Sequence, residues 1–471
     1  MNQISMIIFV LLFSSGIFGV EISPKDGEDS PLSSEHRRTL LNIIWSCLAT
    51  IFACTWLAVH PNVPGRNITT KGPISGGIER VKIMVTAILA PEAIVAWAAE
   101  QFIVAWEVCY RTDFSISSVI NGWRGKKDKY SPNLTMAHGF ILSMGGFCYT
   151  EIESISPSPS SSSKILSDHA ASSRAVELSI LELDDLDSHP HLVEKLEAVS
   201  AETIEDKSKG DALSKTFAIL QISWFIVQCI TRALQHLPIT LLEVTALAFA
   251  GLSIITYCLW WNKPLNVKYH ISLDRPDLRS FRLAPETEYE CRPWIKRIED
   301  GIWGFFVGIV HIAMGVGSND HGTHDIGHGT FRFSSGSEDQ QGTRFVILVG
   351  VGSLFGVFHC AAWSFSFPSH TEMVLWRFSS LAVLIGLFAA GSSIIVDEGG
   401  LPEWAQGLRI IPLSRRESRA WDIFWFLSGA VGMIAYIIAR IMLIVLAFMQ
   451  LRSLPPLAFH TVQWTTYIPH I

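Results

Sequence analysis

The residues best suited to chemistry in this chain are histidines and carboxylates. Asp320, His321, His324, Asp325 and His328 place three imidazoles and two carboxylates within nine residues, enough for the first shell of a zinc or iron ion. The His324-x3-His328 spacing would put two imidazoles on one side of a helix. Gly322, Gly327 and Gly329 disfavour that helix, and the additional histidine boxes of di-iron membrane oxygenases are missing, so the stretch reads first as a solvated Gly-rich loop. His321 and Asp325 also form an H-x3-D pair, a weak acyl-transfer-like pattern without supporting context. No metal and no cofactor is therefore assigned.

A second set lies inside apolar runs, where an unpaired ionisable group is costly and often functional. His311, His359, Glu372 and Arg377 are the residues expected around a polar pocket, if the chain builds one. Each has a plainer reading as a satisfied core histidine, a helix cap or a snorkelling arginine, and Arg440 shares the last. Thr240-Leu241-Leu242-Glu243 and Ser369-His370-Thr371-Glu372 both have the S/T-x-x-E form of a capping box, which gives their glutamates structural work. Eight cysteines include no C-x-x-C pair, and five of them sit in apolar runs, as buried free thiols do. No phosphate-binding loop, G-x-S-x-G elbow, H-E-x-x-H pair or dinucleotide fingerprint is present in a fitting context.

The elements that must position these residues follow from composition. Of 471 residues, 49% are hydrophobic and 17% charged, and mean hydropathy is +0.32. That balance excludes a disordered chain and an ordinary soluble enzyme, and the net charge of −7 offers no basic field for nucleic acid. Runs long and apolar enough to span a bilayer occupy 40–59, 239–261, 345–367, 373–396 and 421–449, with weaker ones at 216–236 and 301–317. Both weaker runs are counted as spans to keep the parity of their neighbours. The partner implied is the lipid bilayer, and nucleic acid is not one.

Residues 81–108 are apolar but carry Pro91, Glu92, Glu100 and Glu107, and the three glutamates fall within about 80° of one another on a helix. An interfacial or re-entrant helix fits this pattern; a full span with its acids facing the bundle interior is the alternative. The fold class expected is thus all-α: a polytopic transmembrane bundle of about seven spans, with an interfacial helix and a partly disordered cytoplasmic loop.

Its parts are a signal peptide or retained signal anchor at 1–20, a first span with the interfacial helix at 40–149, and a Ser-rich then acidic loop at 150–215. The main transmembrane domain at 216–449 and a tail at 450–471 complete it. In the loop, 174–206 is either a set of helical turns docked on the membrane domain or a phosphorylatable flexible segment. Lys and Arg clusters at 109–130 and 262–300 place both loops on the cytoplasmic side, which leaves the sequons at Asn67 and Asn133 unused. Four arginines at 397–420 run against this orientation. An integral membrane of the secretory pathway or the cell surface is the expected location.

Several strings resemble a family. They are His60-Pro61-Asn62-Val63-Pro64-Gly65, Ala90-Pro91-Glu92, Asp206 through Lys215, and Leu259-Trp260-Trp261-Asn262-Lys263-Pro264-Leu265-Asn266-Val267. To these belong His359-Cys360-Ala361-Ala362-Trp363 with Phe367-Pro368-Ser369, and the C-terminal stretch from Leu451 to Ile471. The chain resembles a large family of uncharacterised multi-pass membrane proteins of filamentous, mainly mushroom-forming, fungi, from about residue 55 to the end. The resemblance implies no activity, ligand or catalytic residue, and the His-rich loop lies outside it. Read physically, Trp261-Asn262-Lys263-Pro264 is a membrane exit, with a cation towards headgroups and a proline stopping the helix.

Three functional classes stay open. One is a receptor, sensor or scaffold, another a small-solute transporter or channel, and the third a membrane-embedded enzyme on lipid or terpenoid substrates using His359, Glu372 or the His-rich loop.

Overall fold

The computed structural model describes residues 37–64, 73–110, 134–151, 177–207, 211–265, 267, 269–274, 338–397 and 418–462. The 301–317 run and the whole His-rich loop lie outside them.

Twelve α-helices and three short strands order these residues. Helix α1 (Leu40–Phe52) continues through one π-helical segment, Ala53–Leu57. Next come α2 (Pro73–Leu89), α3 (Pro91–Tyr110) and α4 (Met136–Ser143), then β1 (Phe147–Glu151) and β2 (Glu177–Ile180). The short helices α5 (Leu183–Ser188), α6 (Pro190–Glu197) and α7 (Ala201–Lys207) lead into α8 (Asp211–Leu234) and α9 (Leu241–Leu259). Strand β3 (Ile271–Ser272) precedes the long helices α10 (Glu338–Cys360), α11 (His370–Asp397) and α12 (Ser418–Met449).

Among the described residues, five helical stretches are long and apolar enough to cross a membrane: Leu40–Leu57, Pro91–Tyr110, Lys215–Leu234, Leu241–Leu259 and Leu427–Ser453. Their outward faces are apolar. Leu220, Trp224, Val227, Ile230 and Leu234 form a stripe at helical spacing on α8, and Val431, Ile434, Ile438, Ile441 and Val445 do so on α12.

Side-chain contacts set the direction of each helix. At one end of the bundle Arg38 pairs with Glu243, 2.5 Å apart. Further along, Ser253 Oγ donates to the Cys54 carbonyl at 3.5 Å, and at the far end the rings of His60 and Trp260 lie 5.5 Å apart. Helices α1 and α9 therefore run parallel. Helix α8 runs against both, since Gln221 Nε2 reaches Thr50 Oγ1 at 3.2 Å and Lys215 Nζ reaches the Lys263 carbonyl at 3.4 Å. Helices α10 and α12 both finish near Arg38, where Gln450 accepts from Leu241 N–H at 2.7 Å and donates to the Ser366 carbonyl at 3.2 Å.

Helix α9 ends, and α10 begins, at the Lys263 end, and the six helices α1, α8, α9, α10, α11 and α12 alternate in direction among the described residues.

The remaining pair, α2 and α3, turns back inside the bundle. Pro91 lacks an N–H and opens α3, so α2 stops at Leu89 and the chain reverses. Near the Lys263 end, Arg80 of α2 sits over the Trp56 ring, 5.8 Å from its centre, and Trp97 of α3 meets Trp260 edge-on at 5.0 Å. At the turn, the Leu89 carbonyl accepts from Arg440 Nε at 2.8 Å. Arg440 lies midway along the apolar Leu427–Ser453 stretch. At 1.5 Å per residue it is about 14 Å from the end of α12. The hairpin enters from one end, turns at the centre and leaves by the same end. By length and composition α3 is also apolar enough to span.

At the Lys263 end a small subdomain folds over the hairpin. Antiparallel β1–β2 and parallel β1–β3 pairing make a three-stranded sheet in the order β2-β1-β3. Val104 and Val108 of α3 pack with Ile141, Phe147, Leu186, Leu192, Leu196 and Ile204 in one apolar cluster. Over its described part the acidic 174–206 region forms strand β2 and three docked helices, which bury Leu186, Leu192, Leu196 and Ile204. A Cβ at Gly139 would meet the Ala105 backbone at 2.5 Å, which lets α4 lie directly on α3.

Helices α11 and α12 approach as closely, because a Cβ at Gly386 would stand 2.8 Å from the Gly432 carbonyl and 3.2 Å from Tyr436 Cβ. Replacing Gly386 by valine is expected to lower stability by about 1–3 kcal/mol through overpacking. Thermal unfolding in detergent measures it, and an unchanged midpoint would contradict the close crossing.

Candidate functional site

A helix that stops inside an apolar bundle leaves its last carbonyls without intrahelical partners. Helix α2 does so, and α12 supplies what they need. Arg440 donates from Nε to the Leu89 carbonyl at 2.8 Å and from Nη2 to that of Ile88 at 3.1 Å. Its guanidinium also lies 3.9 Å from the centre of the Phe355 ring. A cation at a helix C-terminus complements the dipole as well as the carbonyls. Arg440 is 3% exposed, so it does not snorkel to either end as the sequence reading allowed.

Across the turn, Glu92 occupies the first turn of α3, where a carboxylate is favoured. It is 1% exposed. Tyr436 is one turn before Arg440 on α12 and donates its hydroxyl hydrogen bond to Glu92 Oε1, with the Leu89 carbonyl also 3.1 Å away. Glu92 Oε2 is buried without a hydrogen-bond partner. Gly352 of α10 closes the other side, where a Cβ would be 3.2 Å from Glu92 Cγ. The centre of the bundle thus holds a carboxylate, a phenol, a guanidinium and two cut helix ends.

About three turns along α3, a second polar set fixes the hairpin to the bundle. Lys263, 1% exposed, donates to the His60 carbonyl at 2.5 Å, Gln101 Oε1 at 2.7 Å and Asn62 Oδ1 at 3.2 Å. Those three acceptors match the three N–H donors of an ammonium. Its Nζ also stands 4.1 Å from the centre of the Trp260 ring and 4.6 Å from that of Trp97, within cation–π range of both. Gln101 completes the network, donating to Asn62 Oδ1 at 2.8 Å and accepting from Trp260 Nε1 at 3.1 Å. The sequence reading sent Lys263 towards headgroups. Tertiary packing turns it inward, because the chain after α1 brings the His60 carbonyl and Asn62 to the place where α9 stops.

Burial, then Lys215, hold the Lys263 amine well below the ordinary lysine range. Burial also holds the neighbouring His60 imidazole well below its usual value, with Lys215 and Lys263 acting in the same direction. His60 Nδ1 contacts the Ala58 carbonyl at 2.8 Å and its Nε2 has no partner.

Of the four residues expected around a pocket, three lie among the described residues, and each has its own partner. His311 lies outside the described residues, as do His321, His324, Asp325 and His328. His359 is buried with Nδ1 on the Phe355 carbonyl at 2.9 Å and its ring 5.7 Å from that of Trp376. Glu372 makes an ion pair with Arg452, and Arg377 donates to the Trp363 carbonyl at 2.8 Å while lying over the Trp363 ring. Among the described residues no cluster of three or more His, Cys, Asp or Glu could hold a metal ion. Described cysteines are free thiols, as the spacing implied.

The Thr240–Glu243 capping box is present in full, and Glu243 also binds Arg38. At the second site the Ser369 hydroxyl accepts from Glu372 N–H at 3.2 Å, while the carboxylate turns to Arg452. At that same end, Arg232 donates to the carbonyls of His460 and Pro238, both at 2.8 Å, and a cleft of about 150 Å³ opens between Thr240, Phe365, Gln450 and Leu454.

Sequence reasoning had marked Glu92 and Arg440 separately and had missed Tyr436 and Gln101. Tyr436 was legible in principle as a polar residue four before Arg440 on one helix face. Nothing local in α3 singles out Gln101.

A family model matches residues 7–278, more than half of the chain, from before α1 to just past β3. The chain belongs to DUF8562, a family of unknown function. The DUF8562 region contains the hairpin and every residue of the Lys263 network, whereas Tyr436 and Arg440 lie beyond it. No curated protein and no solved structure matches the chain.

Two outcomes follow from these contacts. Lys263→Met keeps the volume but takes a donor from each of three buried oxygens. Gln101 Oε1 and Asn62 Oδ1 keep one from Trp260 and Gln101 while the His60 carbonyl loses its lysine donor, and the change is expected to cost about 1–3 kcal/mol. Calorimetry of the purified protein measures this, and a loss below about 0.5 kcal/mol would exclude the network as an anchor. His60 supplies the pH dependence. Its folded-state value is depressed, so its contribution is complete above the unfolded value of ~6.5 and is lost as pH falls below it. Wild-type stability should therefore drop, relative to His60→Gln, by up to about 1.4 kcal/mol per pH unit under pH 6.5. Parallel profiles for the two proteins would show that His60 does not titrate on unfolding.

Proposed function

We propose that the chain is an integral multi-pass membrane protein that transports a small solute, with the α2–α3 hairpin lining the route. The observation that carries this reading is the break at Ala90–Pro91, which places two cut helix ends and three ionisable side chains at mid-bundle. Backbone that stops at membrane depth is tolerated where protein satisfies it or where it lines a path, and transporters build substrate and coupling-ion sites from such discontinuous helices. The apolar stripes on α8 and α12 support the membrane setting, since exposed faces of this extent would otherwise aggregate.

The receptor, sensor or scaffold reading would use the subdomain of β1–β3 and α5–α7 as its effector surface. It leaves the buried Glu92 carboxylate with structural work only. The enzyme reading would use His359, Glu372 or the His-rich loop; Glu372 is paired with Arg452, and the loop lies outside the described residues.

An untargeted metabolite comparison of cells and medium, between a deletion strain and its parent, tests the reading. Transport predicts that a few metabolites redistribute between cell and medium with little change in their total. Wild-type protein should restore the distribution, and Arg440→Met at equal abundance should not. A substrate and product that change reciprocally in total amount would instead indicate an enzyme, and an unchanged distribution would sink the transport reading.

A further inference from the structure

We infer that the coupling ion is a proton and that Glu92 is the residue that carries it, an inference that rests on the transport reading. The geometry at the hairpin tip selects for a particle that small. The Glu92 carboxylate is 1% exposed, and its Oε1 is engaged by the Tyr436 hydroxyl. Its Oε2 is buried with no partner at all. A lone buried carboxylate oxygen is expensive as an anion, and a proton on Oε2 removes the charge by forming one O–H bond. Gly352 and the side chain of Tyr436 close the site on two sides, with Gly352 near enough that a Cβ there would press on Glu92 Cγ at 3.2 Å.

The neighbouring cation does not neutralise Glu92 by direct pairing. Arg440 acts on it electrostatically, but its Nε and Nη2 hydrogen bonds are spent on the carbonyls of Leu89 and Ile88. The remaining charged or titratable groups are set apart from the tip. Helix α10 contributes His359, which also feels Arg440. On α2 the nearest are Glu79 and Lys82, paired with each other at 2.7 Å. Helix α9 has Glu243, committed to Arg38, and α11 has Glu372 and Arg377 at its far end. Glu100 is two turns further along α3 itself.

Loading Oε2 changes what holds the tip closed. With the carboxylate charged, Tyr436 bridges α12 to the first turn of α3, and Arg440 bridges α12 to the last turn of α2. Protonation weakens the first bridge, because a neutral carboxyl is a poorer acceptor, and leaves the second intact. The two arms of the hairpin are thereby released unequally. Alternate exposure of the site requires that kind of asymmetry.

Infrared spectroscopy of the full chain in lipid nanodiscs tests this without a known solute. Wild-type protein taken through a pH titration should show the carbonyl-stretch band of a protonated carboxylic acid, downshifted in D2O, that is missing from Glu92→Gln. An identical band in both proteins would overturn the assignment. Gln is nearly isosteric and can keep the Tyr436 contact, and matching thermal midpoints confirm that the variant folds. Tyr436→Phe provides the second check, since losing its hydrogen bond must change the pH at which the band appears, and an unmoved midpoint would overturn the proposed geometry. The metabolite comparison then separates the two readings. A band lost in Glu92→Gln with no redistributed metabolite would retire transport and leave the proton site standing. Redistribution that depends equally on external pH in wild-type and Glu92→Gln cells would retire the proton coupling and leave transport standing.

Discussion

The guanidinium of Arg440 makes the interaction on which the bundle's centre depends. A helix ending in an apolar interior presents carbonyls that water cannot reach, and each unsatisfied one costs on the order of 1–3 kcal/mol. Arg440 meets those of Ile88 and Leu89 at once and lies over the Phe355 ring. It therefore permits α2 to stop at Leu89, which permits Pro91 to start α3, and the hairpin follows. The arginine is also tolerated by this arrangement, because a buried cation without acceptors would be as costly as the carbonyls it serves.

The two ends of the hairpin are then held by different chemistry. At the tip the partners are charged or phenolic and come from α12. At the Lys263 end they are amides, a backbone carbonyl and two indole faces, contributed by the chain after α1, α3 and the end of α9. The second set pins the arms to a frame of parallel α1 and α9.

Local patterns were legible where the physics is local. The Thr240 capping box needs four consecutive residues and was read correctly from them, and the Leu-rich acidic stretch folded into amphipathic turns as its spacing allowed. Pro91 within 81–108 marked a helix break, and α2 stops at Leu89 just before it. Lys263 was misread for an equally physical reason. A lysine after a tryptophan pair at a helix end is normally an interfacial anchor, and only the arrival of His60, Asn62 and Gln101 from elsewhere supplies the acceptors that make its burial tolerable. The pocket expected from His359, Glu372 and Arg377 failed similarly, since each found a nearer partner that no spacing rule specifies.

Composition and hydropathy by themselves determined that this is a helical chain with several stretches long and apolar enough to cross a membrane, and that its charge lies between them. Hydrophobic periodicity needs no knowledge of the partner, so it survives in one dimension. Tertiary structure decided that α1 and α9 are parallel, that the 73–110 segment turns back at mid-bundle, and that Glu92, Tyr436 and Arg440 meet although the first and last are 348 positions apart. Those facts depend on which buried donor finds which buried acceptor, and that choice is made only when the helices pack.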